Sequence, residues 1–125
     1  MRASELIEHA KRAADDKKAL DPVVLKISKS SGIASFFLIV HGTSDRHVKT
    51  IAQNVVEELE KKKERVWHVE GMREGKWVLL DFGDIVIHVF HHETRNFYNL
   101  ERLWGDAKLV SLVRGNHEEQ TKRTR

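Results

Sequence analysis

The stretch "ASFFLIVHG" (34–42) constrains the fold more than any other part of the chain. It is apolar along most of its length instead of alternating, so a strand built from it must be covered on both faces and lie inside a sheet. The next segment supplies one cover. Val48, Ile51, Ala52, Val55, Val56 and Leu59 recur at i, i+3 and i+4 for three turns, which predicts a helix with one apolar face. Thr43 or Ser44 can cap that helix, Asp45 stands in its first turn, and Lys61 to Lys63 suit the negative end of its dipole.

Around this pair the other elements fall into place. "SELIEHAKRAADDKKAL" puts Leu6, Ile7, Ala10, Ala13 and Ala14 on one helical face, with Ser4 as cap and Asp21-Pro22 as stop. "VVLKIS" (23–28), "RVWHVE" (65–70), "WVLLD" (77–81) and "DIVIHVF" (84–90) read as strands. "HETRNFYNLERLW" reads as a last helix with Phe97, Leu100, Leu103 and Trp104 on its apolar side. The order α-β-β-α-β-β-β-α predicts an α/β fold: a mixed five-stranded sheet flanked by helices. One domain is expected over 1–112 and a polar tail over 113–125.

Composition limits the function. There is no cysteine, which excludes disulfides and thiolate metal sites. Lys and Arg number 22 against 19 Asp and Glu, so a pI near 9.3 reflects a mixed surface of net charge +3 and not a polycation. No run is apolar for the length of a membrane span, and "MRASELIEHAKR" lacks the apolar core of a secretory signal. The expectation is a cytoplasmic protein.

Three motifs invite chemistry. "DFG" (81–83) is the magnesium-holding triplet of protein kinases, but the phosphate loop, strand lysine and catalytic loop that should precede it are missing. A tight turn explains it better, with Gly83 supplying backbone freedom and Asp81 or Asp84 accepting backbone hydrogen bonds. Asp81 with Asp84, and "GTSD" (42–45) at a strand-to-helix junction, also suit a nucleotidyltransferase-like metal and nucleotide site, although Thr43 to Asp45 serve equally well as a helix cap. A small RNA-binding domain is the other alternative. Eight histidines raise the question of zinc, but His88 and His91 fit no ligand spacing and no cysteine assists. For Trp77, after the charged loop "REGK", core packing and a place in a protein interface are equally good readings.

Longer motifs decide between these. "GTSDRHVKTIAQNVVEE", "EGKWVLLDFGDIVIHVF" and "ETRNFYNLERLWGDA" stand in the order found in the ribosomal silencing factor family, also called RsfS or Iojap-like, and the resemblance covers roughly residues 4 to 108. It implies a translational repressor with neither catalysis nor cofactor. Such a protein would bind the large ribosomal subunit through that subunit's ribosomal protein fourteen. It would block joining of the small subunit when nutrients are scarce. The implied topology is that of nucleotidyltransferases without their active site, and a homodimer is implied too. The resemblance places Trp77, Leu80, Asp81, Phe82, Gly83 and Asp84 in the contact hairpin. Ser44, Arg46, His47, Arg95, Tyr98, Glu101 and Trp104 match family signatures of partly structural role.

Overall fold

The computed structural model describes residues 1–27, 34–98 and 109–113. Its elements are α1 (Ala3–Asp16), β1 (Leu20–Ile27), β2 (Phe36–Gly42), α2 (Asp45–Lys61), β3 (His68–Glu70), β4 (Trp77–Asp81), β5 (Ile85–His91), α3 (His92–Tyr98) and β6 (Leu109–Val113). All five expected strands form, in one sheet of order β3-β4-β5-β2-β1-β6. Strands β2 and β5 run parallel and the other neighbours antiparallel, so the sheet is mixed as expected. The sixth strand extends the sheet along β1 and was not read from the sequence; it ends at Val113, one residue into the segment read as tail.

Strand β2 is internal, as its composition demands. Phe37, Leu38, Ile39 and Val40 are all buried, and strand alternation divides them between two cores. Leu38 and Val40 join Val24, Val78, Leu80, Ile85, Ile87 and Val89 beneath α1 and α2. Phe37 and Ile39 join Val23, Leu25, Ile27 and Phe90 on the opposite face, with Trp77 and Val86 half-buried at its margin. The expected faces of both helices are the buried ones: Leu6, Ile7, Ala10, Ala13 and Ala14 on α1, and Val48, Ile51, Ala52, Val55 and Leu59 on α2, while Val56 is only partly covered.

The boundaries of α1 differ from expectation. Arg2, not Ser4, precedes the helix, and its backbone N–H donates to Glu5 Oε1 at 3.0 Å. The helix ends at Asp16, well before Asp21-Pro22. Lys18 turns the chain with φ 63°, and β1 has already begun at Leu20. Pro22 is tolerated inside the strand because the register slips between Leu20 and Val23, where Asp21 has φ 49° and a ladder hydrogen bond is not demanded.

Candidate functional site

Strands β4 and β5 are joined by the turn the sequence suggested. Gly83 has φ 90°, and its N–H donates to Asp81 Oδ1 at 2.8 Å, while Phe82 N–H donates to the Ile85 carbonyl at 2.9 Å. The Asp81 carboxylate therefore closes the turn, the use expected of it there. A second constraint holds Gly83. A Cβ at this position would lie 2.7 Å from Cζ2 of Trp67, so the indole rests directly on the turn.

Alternation along β4 sorts the hairpin residues. Val78 and Leu80 point to the helices and are fully buried, and Phe82 is 4% exposed in the same core. Trp77, Leu79 and Asp81 point to the other face and are each half-buried. Opposite them across β5 stand Phe90, His88 and Val86, and across β3 stand Glu70 beside Leu79 and His68 beside Asp81. The structure thus corrects part of the expected contact set. Leu80 and Phe82 support the hairpin from inside, because they share the parity of Val78 and not of Trp77. Leu79 and Val86 are the half-buried aliphatic side chains on the same face as Trp77, and Asp84 is exposed at the turn.

Trp77 is held in place. Its indole N–H donates to Nδ1 of His88 at 3.1 Å, and its ring lies 4.9 Å from that of Phe90. Accepting at Nδ1 makes His88 a neutral imidazole with its proton on Nε2. His88 is 2% exposed and also meets Phe37 edge-on at 5.3 Å, and this burial pushes its pKa down to about 4. It is a hydrogen-bonded strand histidine, as expected.

The "SDRH" segment builds the junction between α1, β2 and α2. Ser44 caps α2 by accepting from His47 N–H at 3.0 Å. The His47 ring receives Thr43 N–H at Nδ1, 3.0 Å away, and donates from Nε2 to the Lys17 carbonyl at 2.8 Å, tying the end of α1 to the start of α2. Gly42 permits this approach, since a Cβ there would lie 2.9 Å from His47 Nδ1. Arg46 is exposed beside this junction. Arg95 is 8% exposed and donates through one guanidinium nitrogen to the Asp21 carbonyl at 2.8 Å and to His41 Nδ1 at 3.0 Å, pinning the irregular start of β1. Ser44, His47 and Arg95 thus make contacts that hold the fold together. Tyr98 closes α3, its side chain lying outside what is described, as do Glu101, Trp104 and the expected helix beyond Tyr98.

Sequence reasoning passed over Trp67. It was visible as an aromatic residue in "RVWHVE", but only the structure shows it 76% exposed against the turn. Among the described residues, no three His, Asp or Glu side chains are grouped to hold a metal ion, and no helix is long and apolar enough to cross a membrane.

Comparison with known proteins matches this arrangement to one family. The family model described as "ribosomal silencing factor during starvation" matches residues 1–125. The ribosomal silencing factor of Bacillus subtilis is 42% identical over 118 residues, spanning 94% of this chain and 100% of that protein. Its counterpart in Halalkalibacterium halodurans is 45% identical over 112 residues, spanning 90% of this chain and 96% of that one. A crystal structure of a protein from Chromobacterium violaceum superposes with a TM-score of 0.81 at 34% identity, covering 84% of this chain and 88% of the other. Sequence relatives along nearly the whole length, and the same fold in a solved relative, lead to one conclusion: the chain belongs to the ribosomal silencing factor family.

Proposed function

We propose that this protein silences ribosomes by binding the large subunit through its ribosomal protein fourteen and keeping the small subunit from joining. It acts in the cytoplasm and self-associates as a homodimer. Family membership supports the silencing role. The observation that carries the docking is the half-covered margin of the second core at the β3–β4–β5 edge. There Trp77, Leu79 and Val86 are half-buried on a rigid sheet, among the carboxylates of Glu70 and Asp81 and beside Asp84. Large apolar side chains held in one rotamer and rimmed by charge are what a protein interface uses for affinity.

In this mechanism Trp77, Leu79 and Val86 lose their water against an apolar patch on the ribosomal protein, and Asp81 and Asp84 pair with its basic side chains. Gly83 shapes the turn, and Leu80 and Phe82 hold it up from the core. Inhibition then requires only bulk, because a domain about 35 Å across occupies space that the small subunit needs. The nucleotidyltransferase-like alternative is disfavoured by the use of the Asp81 carboxylate in closing the turn.

Sucrose-gradient sedimentation of purified subunits, with and without the protein under association conditions, tests this. Co-migration with the large subunit and a smaller joined-ribosome peak are expected. An unchanged profile with the protein left at the top of the gradient refutes the proposal.

A further inference from the structure

Trp67 is the most exposed of the large apolar side chains among the described residues, at 76%, yet it is not loosely held. Its backbone N–H donates to the Asp81 carbonyl at 2.7 Å, and its indole lies on Gly83, whose missing side chain makes the room. A tryptophan whose role was packing would be covered; this one is displayed on a fixed support. Little conformational freedom remains for it to lose on association, and it has well over 100 Å² of largely apolar surface to cover.

Its surroundings indicate the partner. Asp81 and Asp84 form the turn beneath it, and Glu70 lies two positions beyond His68 on the same edge strand. On a chain of mixed charge, these carboxylates gather at one corner, with Glu70 held by the His68 ring at 2.7 Å and Asp84 exposed at the turn. Carboxylates at this corner repel a phosphate backbone and attract lysine and arginine, which favours a protein surface over RNA. Trp67 stands at the Asp81 end of β4 and Trp77 at the other end, roughly 13 Å apart at the ordinary rise of a strand. Trp67 lies at the bend beside the turn and Trp77 on the face of β4 turned from the helices, so one partner reaches both by wrapping the sheet edge, within an interface of standard size, about 800 Å² on each partner.

We propose that Trp67 is a second aromatic anchor of the docking surface, seating in an apolar recess of a basic protein on the large subunit. This rests on the reading given under Proposed function. The test measures binding of the full chain to isolated large subunits, comparing the unaltered protein with Trp67→Ala, Trp67→Phe and Asp84→Lys, each shown by circular dichroism to be folded. Trp67→Gln, which keeps a long side chain over Gly83, replaces the alanine variant if that one unfolds.

The expected result is a loss of about thirty-fold or more for Trp67→Ala, the size typical of an interface anchor. Trp67→Phe should recover most of it, and Asp84→Lys should weaken binding. Binding by the unaltered protein with no change in Trp67→Ala overturns the anchor while leaving the docking proposal standing. Tighter binding by Asp84→Lys, or Trp67-dependent binding to protein-free large-subunit RNA, assigns the residue to nucleic acid and overturns the protein partner. If the unaltered protein does not bind large subunits, the docking proposal itself fails and the anchor with it.

Discussion

Leu79 and Leu80 are adjacent on β4 and identical in chemistry, yet the sheet gives them opposite tasks. Leu80 lies under α1 and α2 in a core with Ile87, Val89 and Leu59, with no exposed surface. Leu79 lies on the opposite face between Glu70 and His88 and is half-buried. One strand thus carries two alternating sets of side chains, one that makes the domain stable and one offered to a partner. A mutation's effect depends on the parity of its position more than on the residue type removed.

The largest expected effect is on the covered face. Leu80→Ala should lower unfolding free energy by about 3 to 4 kcal/mol, since a fully buried leucine leaves a cavity that the neighbouring strands and helices close only in part. Urea unfolding followed by circular dichroism measures it; a loss under about 1 kcal/mol would show that the two faces do not differ in this way.

His88 supplies the next effect, dependent on pH. In the unfolded chain its imidazole takes up a proton near pH 6.5, whereas burial delays this to about 4 in the folded protein. The unfolded state therefore binds more protons between these values. The stability His88 contributes is fully present above pH 6.5 and is lost as the pH falls toward 4, by about 1.4 kcal/mol per unit and about 3 in total. Protonation would also replace the lone pair that receives the Trp77 indole, coupling acid lability to the open face. The urea midpoint of the unaltered protein should fall more steeply below pH 6.5 than that of His88→Gln. Parallel profiles would assign the acid sensitivity to other groups.

Much of this division was legible in the sequence, and its limits have physical causes. The continuous apolar run at 34–42 and the helical spacing of 48–59 determine a buried strand and its cover, because burial on two faces and on one stripe leave different periodicities. The turn at 81–84 was legible because Gly83 and Asp81 are the residue types its backbone needs. Leu80 and Phe82 were misplaced although the period of two was available: counting from Trp77 sends Leu79 and Asp81 to its face and Leu80 to the other. A resemblance to a motif gives positions but not sides. Trp67 was missed for a different reason. It stands in a bend just before a three-residue edge strand, where exposure leaves no periodic trace, and its seat on Gly83 joins residues sixteen positions apart. Pro22 inside β1 ran against the usual rule because the register slip there removes the hydrogen bond that proline lacks.

On the open face, Trp77→Ala should weaken large-subunit binding by about 2 kcal/mol if the indole is an anchor. It also removes the donor to His88 and a ring against Phe90, so stability must be measured in parallel. Trp77→Phe separates the two roles, keeping a ring against Phe90 without the N–H. Unchanged affinity in a folded Trp77→Ala protein would leave Trp77 as a packing residue alone.

The smallest effect gives the sharpest contrast. Leu79→Ala removes the same three carbon atoms as Leu80→Ala, from the next position on the same strand. On the open face the gap fills with water and no enclosed cavity forms, so the stability cost should stay below about 1 kcal/mol. Binding should still weaken by about 1 kcal/mol, because the lost side chain is part of what a partner covers between Trp77 and Asp81. The pair therefore predicts a crossed pattern, with Leu80→Ala weakened in folding and Leu79→Ala weakened in binding once both are compared as folded protein. A Leu79→Ala protein as unstable as Leu80→Ala would mean that this face is closed by further packing, and the docking surface would then have to lie along the β3 edge at Trp67.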